Sequence, residues 1–159
     1  MSRCSSHYTA LGLGSNLGDR ESQLHKAIES LRENGFKIHR SSSFYDTAPV
    51  DCVPGTPRFL NAAVIGQWSS TPYALLRLCK KIEVEMGRPE IHSSAEARVI
   101  DIDILLFGTQ VIRRKELLVP HPRLAERRFI LEPLNEIAPD WHIPPGHMTV
   151  AEALAKGDG

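Results

Sequence analysis

Two carboxylates, Asp101 and Asp103, stand two residues apart in the segment RVIDIDILLFG at 98–108. Strand side chains alternate faces with period two, so these acids share one face. Ile100, Ile102, Ile104 and Leu106 would then form an apolar stripe on the other. Two like charges side by side on a core strand are unfavourable unless a cation lies between them. Magnesium suits the position, because it is a hard ion held by one or two carboxylates together with substrate phosphates. The alternative on spacing alone is a strand edge whose acids face water.

Cationic groups that could serve such a site cluster around it. Arg88 follows a helix end, Arg98 opens the aspartate strand, and VPHPRLAERRF supplies His121, Arg123, Arg127 and Arg128. Arginine suits polyphosphate, since its planar fork donates two parallel hydrogen bonds and keeps its charge. Arg113, Arg114 and Lys115 read instead as a solvated basic turn. His121 lies between two prolines that restrict its backbone, and by itself it is as much a structural histidine as a functional one. Phe59 and Asn61 share a strand face, where a flat heterocycle could stack on the ring and pair with the amide. Pattern alone favours core packing for Phe59. The glycine-rich GLGSNLGDR matches neither the P-loop nor the dinucleotide fingerprint and reads as a strand-to-helix turn, with Asn16 or Asp19 near the helix start.

The elements that must carry these residues are well punctuated. Residues 8–14 predict a strand. From 17 to 34 a helix is expected, with Leu24, Ala27, Ile28 and Leu31 at helical spacing and Gly35 as its cap. Residues 36–46 read as extended, 47–58 as a proline-containing loop, and FLNAAVIGQW at 59–68 as a strand. Thr71 caps a second helix, Pro72 fits its first position, and Leu75, Leu78, Cys79, Ile82 and Met86 make its apolar face before Gly87. Cys79 there is a small core residue. Residues 88–97 are loop-like. After position 119 the prolines Pro120, Pro122, Pro133, Pro139, Pro144 and Pro145 leave room for one short helix around 123–136 in a surface-wrapping tail.

Composition frames the chain. Its 159 residues fit one domain, 1–159, long enough to bury a core. Lys+Arg and Asp+Glu are both 19, so no global field points to nucleic acid or membrane. Cys4, Cys52 and Cys79 match no zinc or redox spacing. The opening MSRCSSHYTA lacks an apolar stretch and no segment reaches membrane-spanning length, so a cytoplasmic, reduced setting is the expectation. The element order is strand, helix, strand, strand, helix, strand. It predicts an α+β fold of ferredoxin-like βαββαβ type, an antiparallel sheet with helices on one face and a proline-rich C-terminal extension. That fold alone gives no function.

GLGSNLGDR, SFYDTAP at 43–49, FLNAAV at 59–64, RVIDIDILLFG and VPHPRLAERRFILEPLNEIAPD at 119–140 occur in one order. Together they resemble the 6-hydroxymethyl-7,8-dihydropterin pyrophosphokinases of folate biosynthesis, over nearly the whole chain. The resemblance implies transfer of the pyrophosphoryl group of ATP to the pterin hydroxymethyl oxygen, with AMP leaving. It implies that Asp101 and Asp103 bind two magnesium ions and that Arg88 and Arg98 contact the transferring phosphates. His121 and Arg127 would serve the nucleotide, with Glu83, Arg98 and Ile104 lining its pocket. Asn61 would pair with the pterin edge, Phe59 and Phe129 would stack on its faces, and main-chain groups of Thr47, Ala48 and Val50 would complete recognition. The expected partners are these small molecules, with no nucleic acid or membrane, and the expected state is a monomer.

The sequence departs from the family before Arg98, where Ala95, Glu96 and Ala97 replace an aromatic and a proline pair, and Glu116 and Pro122 stand where relatives place nucleotide contacts. Two other readings compete. A nucleotidyltransferase would place its Gly-Ser turn shortly before the acid strand, whereas Gly14-Ser15 lies far upstream. A non-catalytic ferredoxin-like module binding RNA would interleave aromatics with basic residues on the sheet, where this chain puts acids.

Overall fold

The computed structural model describes residues 7–48, 54–55, 57–87 and 99–156. Alternation of apolar residues along the first segment builds β1 (His7–Ser15), the middle of an antiparallel sheet. Asp19 ends the following turn and accepts the Ser22 N–H at 3.1 Å, starting α1 (Arg20–Glu33). Gly35, at a φ of 101°, lets the chain reverse into β2 (Lys37–Ser41). A three-residue strand, β3 (Tyr45–Thr47), follows, then β4 (Phe59–Trp68). Thr71 Oγ1 accepts the Ala74 N–H at 3.0 Å and Pro72 opens α2 (Pro72–Glu85), as its residues predict. The aspartate strand is β5 (Asp101–Phe107), followed by the small pair β6 (Ile112–Arg113) and β7 (Leu118–Val119). The chain ends in α3 (Arg128–Ile137) and α4 (Val150–Lys156).

The sheet order is β2-β4-β1-β5, with β3 also paired to β4 and all pairings antiparallel. One face carries Leu11, Leu13, Val64, Ile102 and Ile104 against Leu24, Ala27 and Leu31 of α1 and Leu75, Cys79 and Ile82 of α2. The other face carries Ala10, Ala63, Ile65, Leu105 and Leu106 against Leu131, Leu134 and Ile137 of α3 and Val150 and Ala153 of α4. Helices therefore cover both faces, not one. The proline-containing tail folds a second small core onto the sheet with two helices where the sequence predicts one.

Two further expectations change. In the β1–β5 ladder Leu11 faces Ile104 and Ala10 faces Leu106, so Leu105 is an extra residue on β5. The bulge breaks the alternation: Leu105 and Leu106 both pack toward α3 and α4, while Phe107 returns to the α1–α2 side. Leu106 thus leaves the stripe formed by Ile100, Ile102 and Ile104. The helix expected at 123–136 begins only at Arg128. Ahead of it the Leu124 N–H bonds the His121 carbonyl at 3.0 Å, and the Arg123 N–H bonds His121 Nδ1 at 3.2 Å, holding a turn. Among the described residues, no helix is long and apolar enough to cross a membrane.

Candidate active site

The site begins with parity. Asp101, Asp103 and Leu105 point to the α3–α4 side of β5, and Phe59, Asn61, Ala63 and Ile65 point the same way from β4. Between them runs β1, where Gly14 pairs with both Asn61 and Asp101, and Gly12 with Ala63 and Asp103. Two glycines at alternate positions leave this stretch of the central strand bare. A Cβ on Gly14 would lie 2.8 Å from Asn61 Oδ1 and 3.5 Å from Phe59 Cδ1, so only glycine leaves the amide its place. The result is a trough two strand spacings wide, roughly 10 Å, with an amide on one rim and two carboxylates on the other.

The tail closes that trough into a pocket of about 130 Å³. Gly12, Gly14, Asp101 and Asp103 form its floor, Thr47, Ala48, Phe59 and Asn61 one side, and His121, Arg127, Phe129 and Ile130 the other. Asn61 is buried, and its Nδ2 donates to Thr47 Oγ1, which leaves Oδ1 above Gly14. The Arg127 guanidinium carbon lies 5.6 Å from the centre of the Phe129 ring, tying charge to aromatic face.

A second, wider pocket of about 420 Å³ adjoins it along the outer edge of β5. It is bounded by Leu76, Lys80 and Glu83 of α2, by Ile102 and Ile104, and by Glu116, Leu118 and Pro122. Asp101, Asp103, His121 and Arg127 line both pockets and so stand at their junction. An edge strand exposes unpaired main-chain groups, and here two are taken up. Glu83 Oε2, on a residue only 5% exposed, accepts the Ile102 N–H at 2.8 Å, and the Leu105 carbonyl accepts the His121 N–H at 3.0 Å. These bonds set where β5 presents its aspartates relative to α2 and the histidine turn.

The junction carries charges of both signs, the Asp101 and Asp103 carboxylates and the Arg127 guanidinium. Burial lowers the His121 pKa, the Arg127 charge lowers it further, and Asp101 only partly opposes them, so the imidazole is neutral near pH 7 and can accept or donate. Cys79, behind β5, is driven the opposite way: burial first, then the charges of Glu83, Asp103 and Asp101 raise its thiol, which makes it inert core. Among the described residues, no cluster of three or more His, Cys, Asp or Glu forms a metal cage. Two half-buried carboxylates facing an open pocket are a donor set for a hard cation that takes its remaining oxygens from a substrate.

The structure brings together Thr47, Ala48, Phe59, Asn61, Asp101, Asp103, His121, Arg127 and Phe129 at one pocket, and Glu83 and Ile104 at the other. Phe59 lines the cavity instead of disappearing into the core. Arg88, Arg98 and Val50 lie outside the described residues, as does the whole of the 88–97 loop segment. Gly12, Gly14 and Lys80 were not expected at the site. The alternation of Gly12 and Gly14 with the buried Leu11 and Leu13 carried the signal for the glycines; Lys80 gave none beyond its helical position one turn from Glu83.

Residues 10–139 match the family model of 7,8-dihydro-6-hydroxymethylpterin-pyrophosphokinase. A 2-amino-4-hydroxy-6-hydroxymethyldihydropteridine pyrophosphokinase of Methylorubrum extorquens is 42% identical over 149 residues, which cover 93% of this chain and 92% of that protein. The Bacillus subtilis protein of the same name is 43% identical, over 80% of this chain and 75% of its own length. The mitochondrial folate synthesis bifunctional protein of Arabidopsis thaliana is 38% identical over 96% of this chain. The chain spans only 26 to 30% of the length of such bifunctional plant relatives. The solved structure of wild-type Plasmodium falciparum HPPK-DHPS with pteroate shares the fold, at a TM-score of 0.76 and 17% identity over 98% of this chain and 43% of that one. On the extent of the family match and on two relatives matched over most of their length, this chain belongs to the 7,8-dihydro-6-hydroxymethylpterin-pyrophosphokinase family.

Proposed function

We propose that this chain transfers the pyrophosphoryl group of ATP to the hydroxymethyl oxygen of 6-hydroxymethyl-7,8-dihydropterin, as a step of folate biosynthesis. The bond between the β-phosphorus and the α,β-bridging oxygen breaks, that oxygen leaves with AMP, and the hydroxymethyl oxygen bonds the β-phosphorus as its proton passes to solvent. The observation that carries this reading is the pair of adjoining pockets, one flat and amide-rimmed and one wide and polar, which meet at Asp101 and Asp103.

In the smaller pocket the pterin would lie between Phe59 and Phe129, its edge paired with Asn61 and with main-chain groups of Thr47, Ala48 and Val50. The larger pocket would take ATP, along Glu83, Ile104, His121 and Arg127. Phosphoryl-type transfer asks the protein for in-line positioning and charge neutralisation more than for covalent chemistry. Two magnesium ions, held by Asp101 and Asp103 with substrate oxygens, would supply much of that neutralisation. Arg88 and Arg98 would add fixed positive charge at the transferring phosphates.

Two cores sharing one sheet support a single pyrophosphokinase domain over 1–159, and the order β2-β4-β1-β5 supports the ferredoxin-like arrangement. The chain would act as a monomer. A buried, unbridged Cys79 suits a reduced compartment such as the cytoplasm.

The test is product analysis with purified protein, ATP and magnesium, with and without the pterin. AMP formed only with pterin, and lost in folded Asp101→Ala and Asp103→Ala variants, is the expected result. Pyrophosphate in place of AMP would mean nucleotidyl transfer, and no pterin-dependent product would overturn the reading.

A further inference from the structure

The strand β3 is three residues long, yet each of its side chains is fastened to a different part of the molecule. Asp46 accepts from Arg58 Nε at 2.7 Å and from Arg20 at 3.1 Å, anchoring the strand to the start of β4 and of α1. Thr47 accepts from Asn61 in the smaller pocket. Tyr45 donates its hydroxyl to Glu136 Oε1 of α3 at 2.7 Å. The same carboxylate takes the Ser43 N–H at 3.0 and 3.1 Å on its two oxygens, and the Ser43 hydroxyl at 3.0 Å. Burial pushes the Glu136 carboxyl up, yet the bonds from Tyr45 and Ser43 outweigh it and hold the group below the usual range. The tyrosine responds in the opposite sense, its pKa raised to about 12 by burial and by that carboxylate.

The placement of this cluster gives it a consequence for the pocket. Glu136 lies two helical turns beyond Phe129, hence on the same face of α3. Tyr45 lies two residues before Thr47, hence on the same face of β3. The Glu136–Tyr45–Ser43 bonds therefore join the two elements whose other ends carry opposing walls of the smaller pocket, Phe129 on one and Thr47 with Ala48 on the other. Neither Glu136 nor Tyr45 lines that pocket.

We propose that Glu136 is a positioning residue for the pterin, fixing through Tyr45 and Ser43 the gap between Phe129 and the Thr47–Ala48 wall. The inference rests on the pyrophosphokinase reading above and assigns the width of its pterin pocket to a contact outside it. Glu136→Gln puts an amide donor where an acceptor is needed, and Tyr45→Phe deletes one bond while keeping the ring.

Steady-state AMP release, varying each substrate separately, tests it on wild type, both single variants and the double variant. The pterin KM is expected to rise about fivefold in each single variant, the size of one lost hydrogen bond. The ATP KM should stay within about twofold, and the double variant should be no worse than Glu136→Gln, because both changes cut one link. An active wild type whose variants keep the pterin KM, or raise both KM values together, overturns the positioning role alone. A wild type without pterin-dependent AMP release overturns the reaction reading and this inference with it.

Discussion

The smaller pocket is walled by elements that the sheet, β3 and α3 hold directly, whereas the larger one lies along the outer edge of β5. The first is about 130 Å³, floored by two bare glycines and bounded by aromatic rings and a buried amide. The second is about 420 Å³ and bounded by long charged side chains, Lys80, Glu116 and Arg127 among them. Rigid planar recognition needs a slot whose width is set in advance, because stacking weakens steeply with misplacement. A flexible polyphosphate needs charge and room, and it brings cations with it. The two pockets differ in the way those two tasks differ, and the aspartate pair belongs to both.

The strongest way to break the comparison is at the junction. Asp101→Asn or Asp103→Asn removes a charge while keeping shape, and should lower turnover by about 100-fold or more with either substrate saturating. Turnover within about threefold of wild type in either folded variant would detach the aspartates from the chemistry. Next in size is Asn61→Ala, which deletes the rim amide and the Thr47 bond. The pterin KM should rise about 10- to 100-fold, the range for losing buried polar contacts, with the ATP KM little changed. Separate titration of each substrate checks this; equal rises would merge the two halves into one.

The smallest effect concerns stability at acid pH. Asp46 and Glu136 both have carboxyls held below their ordinary values of 3.8 and 4.5, Asp46 by hydrogen bonds from Arg58 and Arg20. A carboxylate whose folded pKa is depressed contributes stability above its unfolded pKa and loses it as pH falls through the folded one. Both residues anchor the β3 wall, so melting temperature should decline below about pH 4.5. Glu136→Gln should make that decline shallower, by one or two degrees at most for an exposed group. An identical pH profile for variant and wild type would show that Glu136 titrates alike in folded and unfolded chains.

Much of this was legible in the residues. Asp101 and Asp103 declared a shared face by spacing alone, and Thr71-Pro72 marked the start of α2 by capping chemistry that needs no tertiary partner. FLNAAVIGQW matched β4 residue for residue. What stayed hidden depended on partners far away in sequence. The Leu105 bulge exists only against β1, so no period-two reading of β5 could place Leu106. Gly12 and Gly14 fell at the end of the predicted 8–14 strand, but their purpose, leaving space beside Asn61 and Leu105, becomes visible only once β4 and β5 flank them. Glu83 lay on an apolar helix face, where its bond to the edge N–H of Ile102 explains its burial. The C-terminal helices were obscured by prolines that permit, but do not locate, a packed tail.

The division into two halves is tested most directly by a crossed pair of variants, Gly14→Ala and Lys80→Ala. One adds a methyl to the floor of the smaller pocket, 2.8 Å from Asn61 Oδ1; the other removes an exposed ammonium from the larger. Gly14→Ala should raise the pterin KM about tenfold and leave that for ATP within about twofold. Lys80→Ala should do the reverse on a smaller scale, about threefold for ATP. Each variant moving its own substrate is the predicted result; either variant raising both KM values equally would contradict a cleft divided at the aspartates.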